Sequence, residues 1–173
     1  MKTLLLTFVL LRLAVVASRL GLLQLTGTWY MKATVSNKNL TKGKRLREAF
    51  PVLVLIAAAH GSLFSRFKGH CHEKKILMQK TEETGEYRDR ESGLRLYIEE
   101  LPVMDHAIFY CEGQHHGKTF CVAKLMAEVP QRLPSLENLE ALEEFKEFAQ
   151  CKGLLQEDIF MLEQRESCVP EHH

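Results

Sequence analysis

The chain has 173 residues, 23 Lys and Arg against 22 Asp and Glu, a net charge of +1, and 46% hydrophobic residues. This balance excludes the broad basic footprint of a nucleic-acid binder or of a protein held on a membrane surface by charge. A chain of about 155 residues, the length left once a leader is removed, supports one domain that buries roughly two thirds of its unfolded surface.

From the N-terminus, Met1-Lys2 gives a short positive start, Leu4 to Leu11 is almost continuously apolar, and Val16-Ala17-Ser18 offers small residues at a cleavage site. This pattern predicts a secretory signal peptide over residues 1–18, leaving one domain over 19–173. Arg12 is the one feature that favours the alternative of an attached helix. The stretch is too short and too charged to span a bilayer, and no other segment approaches the required length, so the chain reads as extracellular and not membrane-spanning.

Gly27-Thr28-Trp29-Tyr30 contains the single tryptophan. Gly27 permits a close backbone approach, and Trp29, Met31, Ala33 and Val35 recur at the period of a strand with one apolar face. The bland alternative is a core tryptophan on an edge strand. Beyond it, Lys38, Lys42, Lys44, Arg45 and Arg47 mark a solvated loop, and Asn39-Leu40-Thr41 within that loop is an N-glycosylation acceptor.

Eight strand-like runs follow one another: 28–35, 52–58, 62–67, 73–80, 86–90, 94–99, 105–112 and 118–126. Turn residues separate them at His60-Gly61, Lys68-Gly69, Thr84-Gly85, Ser92-Gly93, Pro102 and His115-His116-Gly117. Short connections favour an antiparallel up-and-down meander. Closing eight such strands removes both sheet edges and leaves room inside for one small ligand. An amphipathic helix comes next, with Ser135 as N-cap, an apolar stripe of Leu136, Leu139, Leu142, Phe145, Phe148 and Ala149, and Gly153 as its stop. It needs a surface for that stripe, and the outside of the barrel supplies one. A last extended segment covers 158–161.

The five cysteines are Cys71, Cys111, Cys121, Cys151 and Cys168, so at least one stays unpaired within the chain. Spacing alone does not select a pair. A Cys71–Cys168 bond would close a loop of about 100 residues, worth roughly 4–5 kcal/mol on the chain-entropy model. Cys111 and Cys121 face each other across a predicted hairpin and form the competing pair, with Cys151 buried or unpaired.

Several stretches together resemble the lipocalin family, and within it the branch of tear lipocalins and odorant-binding proteins. They are Thr26 to Tyr30, Lys74 to Met78, Lys80 to Glu83, Asp105 to Gly113, His116 to Lys118, Leu139 to Phe145, Lys152 to Leu154, and Glu166 to Cys168. The resemblance implies an all-β, eight-stranded calyx with a C-terminal helix on its outside, a Cys71–Cys168 disulfide, and a barrel-base motif of Gly27, Trp29 and Asp105. Where the branch carries an arginine after the last strand, this chain has Ala127-Glu128 followed by a small insertion, so that either Arg132 replaces the cation or the base is looser. The segment between Ala57 and Cys71 is shorter than in the branch, which predicts a shortened hairpin at the barrel mouth.

The function so implied is reversible carriage of small hydrophobic molecules, driven by burial of apolar ligand surface at roughly 25 cal/mol per Å². Lipids, fatty acids, odorants and retinoid-like ligands are the class. Strand parity gives the lining as Met31, Ala33, Val35, Val52, Val54, Leu63, Phe67, Ile76, Met78, Leu96, Ile98, Ile108 and Tyr110, each of which could equally be barrel filling. The Tyr110 hydroxyl, or Lys75 or Lys80 at the rim, would meet a polar ligand head.

No catalytic residue, cofactor or metal is called for. His70-Cys71-His72 and His115-His116 make poor tetrahedral sites, because neighbours on a strand point to opposite faces. Thiol-dependent isomerase chemistry would need Cys111 or Cys121 inward with a depressed pKa. The stronger alternative is a defence, receptor-binding or protease-binding role through the rim loops, with a cell-surface receptor as partner. The chain reads as a monomer or weak dimer.

Overall fold

Pairing of neighbours in sequence order builds almost the whole sheet. The computed structural model describes residues 25–37, 48–49, 51–57, 62–69, 72–128 and 136–164, of which 48–49, 55–57, 62–69, 72–76 and 136–137 are described through their backbone alone. The strands are β1 (Gly27–Ser36), β2 (Glu48–Ala49), β3 (Val52–Ala57), β4 (Ser62–Gly69), β5 (His72–Lys80), β6 (Glu86–Arg88), β7 (Arg95–Glu100), β8 (His106–His115) and β9 (Lys118–Ala127). From β3 to β9 each strand pairs antiparallel with the next, and β1 pairs with both β3 and β9. Eight strands, β1 and β3 to β9, therefore close on themselves, and each of the eight predicted runs falls on one of them. The wall is thinnest between β5 and β6, where two pairs, Gln79↔Arg88 and Lys80↔Tyr87, hold the register.

The longest register joins β8 to β9, from His106↔Ala127 to His115↔Lys118. His116 (φ 49°) and Gly117 (φ 73°) make the connecting turn, both left-handed as a two-residue type I′ turn requires. β1 runs antiparallel to β9, so this turn lies at the far end of the barrel from Trp29. The Asp89–Leu94 turn shares the hairpin's end, which is the mouth, while the 81–85 and 101–105 turns share the base with Trp29. The β3–β4 hairpin also turns at the base, since β3 continues past Val54, the partner of Gly27. The hairpin expected to be short is thus placed by its register at the base, not at the mouth.

One irregularity decides which residues face inward. Met31 pairs with Met126 and Ala33 with Leu125, so Lys32 is an extra residue, a β-bulge. An extra residue reverses the alternation of everything after it. Trp29 and Met31 point into the barrel, whereas Ala33 and Val35 join a cluster on its outer side.

That outer cluster is formed with helix α1 (Leu136–Cys151). Ala141, Phe145 and Ala149 are fully buried against Ala33, Val35, Ile108, Tyr110, Ala123 and Leu125. Burying a Phe side chain in this way contributes about 2–3 kcal/mol. The observed stripe corrects the predicted one: Ala141 belongs to it and Leu139, 58% exposed, does not. Ser135 lies outside the described residues. The helix ends in a Schellman motif, with Leu154 N–H bonded to Ala149 O (2.8 Å), Gly153 N–H bonded to Gln150 O (3.0 Å) and Gly153 at φ 73°.

After a 3₁₀ turn (Gln156–Asp158), β10 (Phe160–Met161) pairs antiparallel with β1, and β11 (Glu163–Gln164) runs parallel to β2. No described helix is long and apolar enough to cross a membrane.

Candidate ligand-binding calyx

The inner face carries a continuous apolar cluster drawn from nearly every barrel strand: Trp29, Met31, Val54, Met78, Tyr87, Leu96, Ala107, Phe109 and Met126, with Leu25 and Leu162. Val52, Leu94, Ile98 and Cys111 pack against it, partly buried. Trp29 anchors the base at 1% exposure. Its indole N–H donates to Leu25 O at 3.0 Å, and its ring meets Phe109 with centroids 5.6 Å apart. Three of the cluster's members are methionines, whose unbranched thioether chains repack around ligands of different shape.

Of the lining read from strand parity, Met31, Val52, Val54, Met78, Leu96 and Ile98 come together here. Ala33 and Val35 do not, because of the bulge, and neither do Ile108 and Tyr110. On β8 the residues from His106 to Tyr110 are all buried, Ala107 and Phe109 in the barrel interior and Ile108 and Tyr110 in the cluster with α1, so apolar composition gives no parity. The inward set is Ala107, Phe109 and Cys111. Leu63 stands in register opposite Met78, Ile76 opposite Ser65, and Phe67 opposite Lys74.

Tyr110 is also removed from any ligand role in the lumen. Its ring packs edge-on to Phe148 (5.6 Å between centroids) and lies 5.0 Å beneath Lys152 Nζ. Burial, reinforced by hydrogen bonds with Glu112 and Cys121, pushes its hydroxyl well above the usual phenol range. Lys80 is exposed beside the base turn and not at the rim.

One polar side chain on the inner face was missed from sequence. Lys124 stands opposite Phe109, and residues paired across antiparallel strands share a face. Its charge reaches Cys111, where it opposes the larger effect of burial, which pushes that thiol up. The signal was present as a lone charge at the same parity as Val122 and Met126.

Cys111 therefore faces inward, but as a neutral thiol, which is a poor nucleophile. Cys111 pairs in register with Val122, and Cys121 with Glu112, so the two sulfurs sit on opposite faces of the hairpin and cannot bond. Cys111, Cys121 and Cys151 are free. The adjacent histidines behave differently from strand neighbours, because His116 is in the turn: the His115 and His116 rings touch, with centroids 4.1 Å apart. No group of three or more potential metal-binding side chains occurs among the described residues.

At the base, Asp105 adopts φ 58° and its carbonyl accepts the Glu128 N–H at 2.9 Å, fixing the end of β9 to the β7–β8 turn. Burial first, and the Asp105 charge second, raise the Glu128 carboxyl above its usual value. A Cβ at Gly27 would meet nothing within 4 Å, so the close approach inferred from the tetrad is not found among the described residues. Asn39, Cys71, Arg132 and Cys168 lie outside those residues.

A closed eight-stranded calyx with an apolar lumen, a tryptophan at its base and a helix on its flank defines the class of protein. Residues 26–166 match the model of the lipocalin / cytosolic fatty-acid binding protein family, and the chain belongs to that family. It is 40% identical to odorant-binding protein 2a of Mus musculus, over 98% of each chain. It is also 40% identical to vomeronasal secretory protein 2 of Mus musculus, over 86% of this chain and 79% of that one. Major allergen Can f 1 of Canis lupus familiaris is 34% identical over 98% of each. Among solved structures, the siderocalin Ex-FABP superposes with a TM-score of 0.66 at 14% identity, covering 87% of this chain and 97% of that one, a likeness of fold.

Proposed function

We propose that the protein is a secreted, non-enzymatic carrier that holds one small hydrophobic molecule reversibly in the calyx. The observation that carries this reading is the inner-face cluster, where apolar side chains from nearly every barrel strand pack together and the inward thiol, Cys111, is not activated. The names of the relatives, odorant-binding protein 2a and vomeronasal secretory protein 2, agree with odorant-like ligands and with secretion. The same reading takes residues 1–18 as the removed leader, joins Cys71 to Cys168 and uses Asn39 as a glycan site.

Lys124 narrows the ligand class. Half-buried on the inner wall beside Phe109, it favours single-chain molecules with a carboxylate or carbonyl head, because a cation next to apolar surface gains from such a partner. Titration with cis-parinaric acid, followed by quenching of the single tryptophan, tests the reading. A carrier saturates at one equivalent and releases the probe to oleic acid; absence of saturable quenching with every lipid and odorant offered removes the proposal.

A further inference from the structure

The mouth of the barrel carries a side chain that the lining does not need. Phe120 on β9 pairs in register with Gly113 on β8. Gly113 is two residues beyond the inward Cys111, so both positions of this pair share the inner face. A Cβ added at Gly113 would lie 2.8 Å from Cζ and 2.9 Å from Cε1 of Phe120, and 3.0 Å from Cδ1 of Leu94. The ring of Phe120 thus reaches over the bare backbone of Gly113 towards Leu94, spanning the width of β8 at the open end. Phe120 itself is only half-buried, as a side chain facing both the lumen and solvent should be.

The surroundings hold the ring's supports still. Leu94 ends a tight turn in which Asp89 N–H donates to Leu94 O (2.8 Å), Gly93 N–H to Asp89 O (3.0 Å) and Leu94 N–H to Ser92 Oγ (3.3 Å). The β8–β9 hairpin is fixed by its two-residue turn at His116 and Gly117. A phenylalanine has only two side-chain torsions, and the bare backbone of Gly113 is the groove in which this ring lies.

Resting on the carrier reading above, we propose that Phe120 is the gate residue of the calyx. Its ring turns aside each time a ligand enters or leaves. It thereby sets the rate of exchange more than the affinity, and it passes unbranched chains more readily than branched or ringed ligands. Gly113 is the positioning residue that lets the ring close.

Stopped-flow kinetics with cis-parinaric acid test this, with release driven by excess oleic acid. Saturable binding by the wild-type protein is measured first, and its failure sinks the carrier reading and the gate together. Given that binding, Phe120→Ala is expected to speed association and release alike by about tenfold, as removal of a rotation barrier would, while the equilibrium constant moves less than about threefold. Phe120→Leu falls between the two. Gly113→Ala changes release in the wild-type background but not beside Phe120→Ala, because its effect runs through the ring. Unchanged rates in Phe120→Ala, or a weakened affinity with association unaltered, would overturn the gate alone, the second result marking Phe120 as an ordinary wall contact. Circular dichroism of each variant confirms that the barrel is intact.

Discussion

The indole N–H of Trp29 donates to the carbonyl oxygen of Leu25 at 3.0 Å, tying the chain that enters β1 to the floor of the barrel. Both residues are buried, so this bond satisfies two polar groups that water cannot reach. Trp29→Phe leaves the Leu25 carbonyl without its partner and opens space against Phe109. Urea denaturation is expected to show a loss of about 2–4 kcal/mol, with the m-value unchanged.

Phe145→Ala and Leu139→Ala separate the two sides of α1. Phe145 is fully buried against the outer wall and Leu139 is 58% exposed. The first substitution is expected to cost about 3–5 kcal/mol and the second less than ~0.5 kcal/mol in the same denaturation assay.

Glu128 supplies a pH test. Its carboxyl is raised in the folded protein by burial and by Asp105, so folding favours the protonated form. The stability associated with that proton is present below the ordinary glutamate range and is lost as pH rises through the raised value. Glu128→Gln is therefore expected to raise the unfolding free energy at neutral pH, by less than ~1 kcal/mol because the group is largely exposed, and the gain should vanish in acid. A gain that persists below the carboxylate range would show that the charge is not its origin.

Lys124→Met tests the head-group assignment. Affinity for a long-chain fatty acid is expected to fall about tenfold, or ~1.4 kcal/mol, while affinity for the alcohol of the same length stays within about threefold. Equal losses for the two would mean that Lys124 contributes only shape.

Thiol chemistry checks the placement of the cysteines. With Cys71 and Cys168 joined, exposed Cys151 should react first with Ellman's reagent, and Cys151→Ser should remove that fast phase. Cys111, partly buried on the inner face and with its thiol pushed up, should react last.

Much of this architecture was legible in the sequence, because its strongest signals are local. The β8–β9 turn announces itself in His116-Gly117, and the helix stop in Gly153 is read from one residue. The strand series survives errors of up to three residues at the ends, as at β8, which continues to His115 rather than Glu112. Which way the strands face was less legible, for two physical reasons. Lys32 inserts a bulge that no alternation rule anticipates, and it sends Ala33 and Val35 under the helix instead of into the lumen. β8 is buried on both faces, so Ile108 and Tyr110 look as suitable for the interior as Ala107 and Phe109. Lys124 was hidden in the same way, a single charge among apolar neighbours whose direction depends on register.

The methionines give the most direct test of the calyx itself. Met31, Met78 and Met126 are buried in the inner cluster, whereas Met104 is 66% and Met161 61% exposed on the outside. In ¹³C-methyl-methionine NMR spectra recorded during titration with oleic acid, the signals of Met31, Met78 and Met126 should shift and saturate together at one equivalent. Met104 and Met161 should stay in place. Shifts confined to Met104 and Met161, with the three inner methyls unmoved, would contradict binding within the barrel.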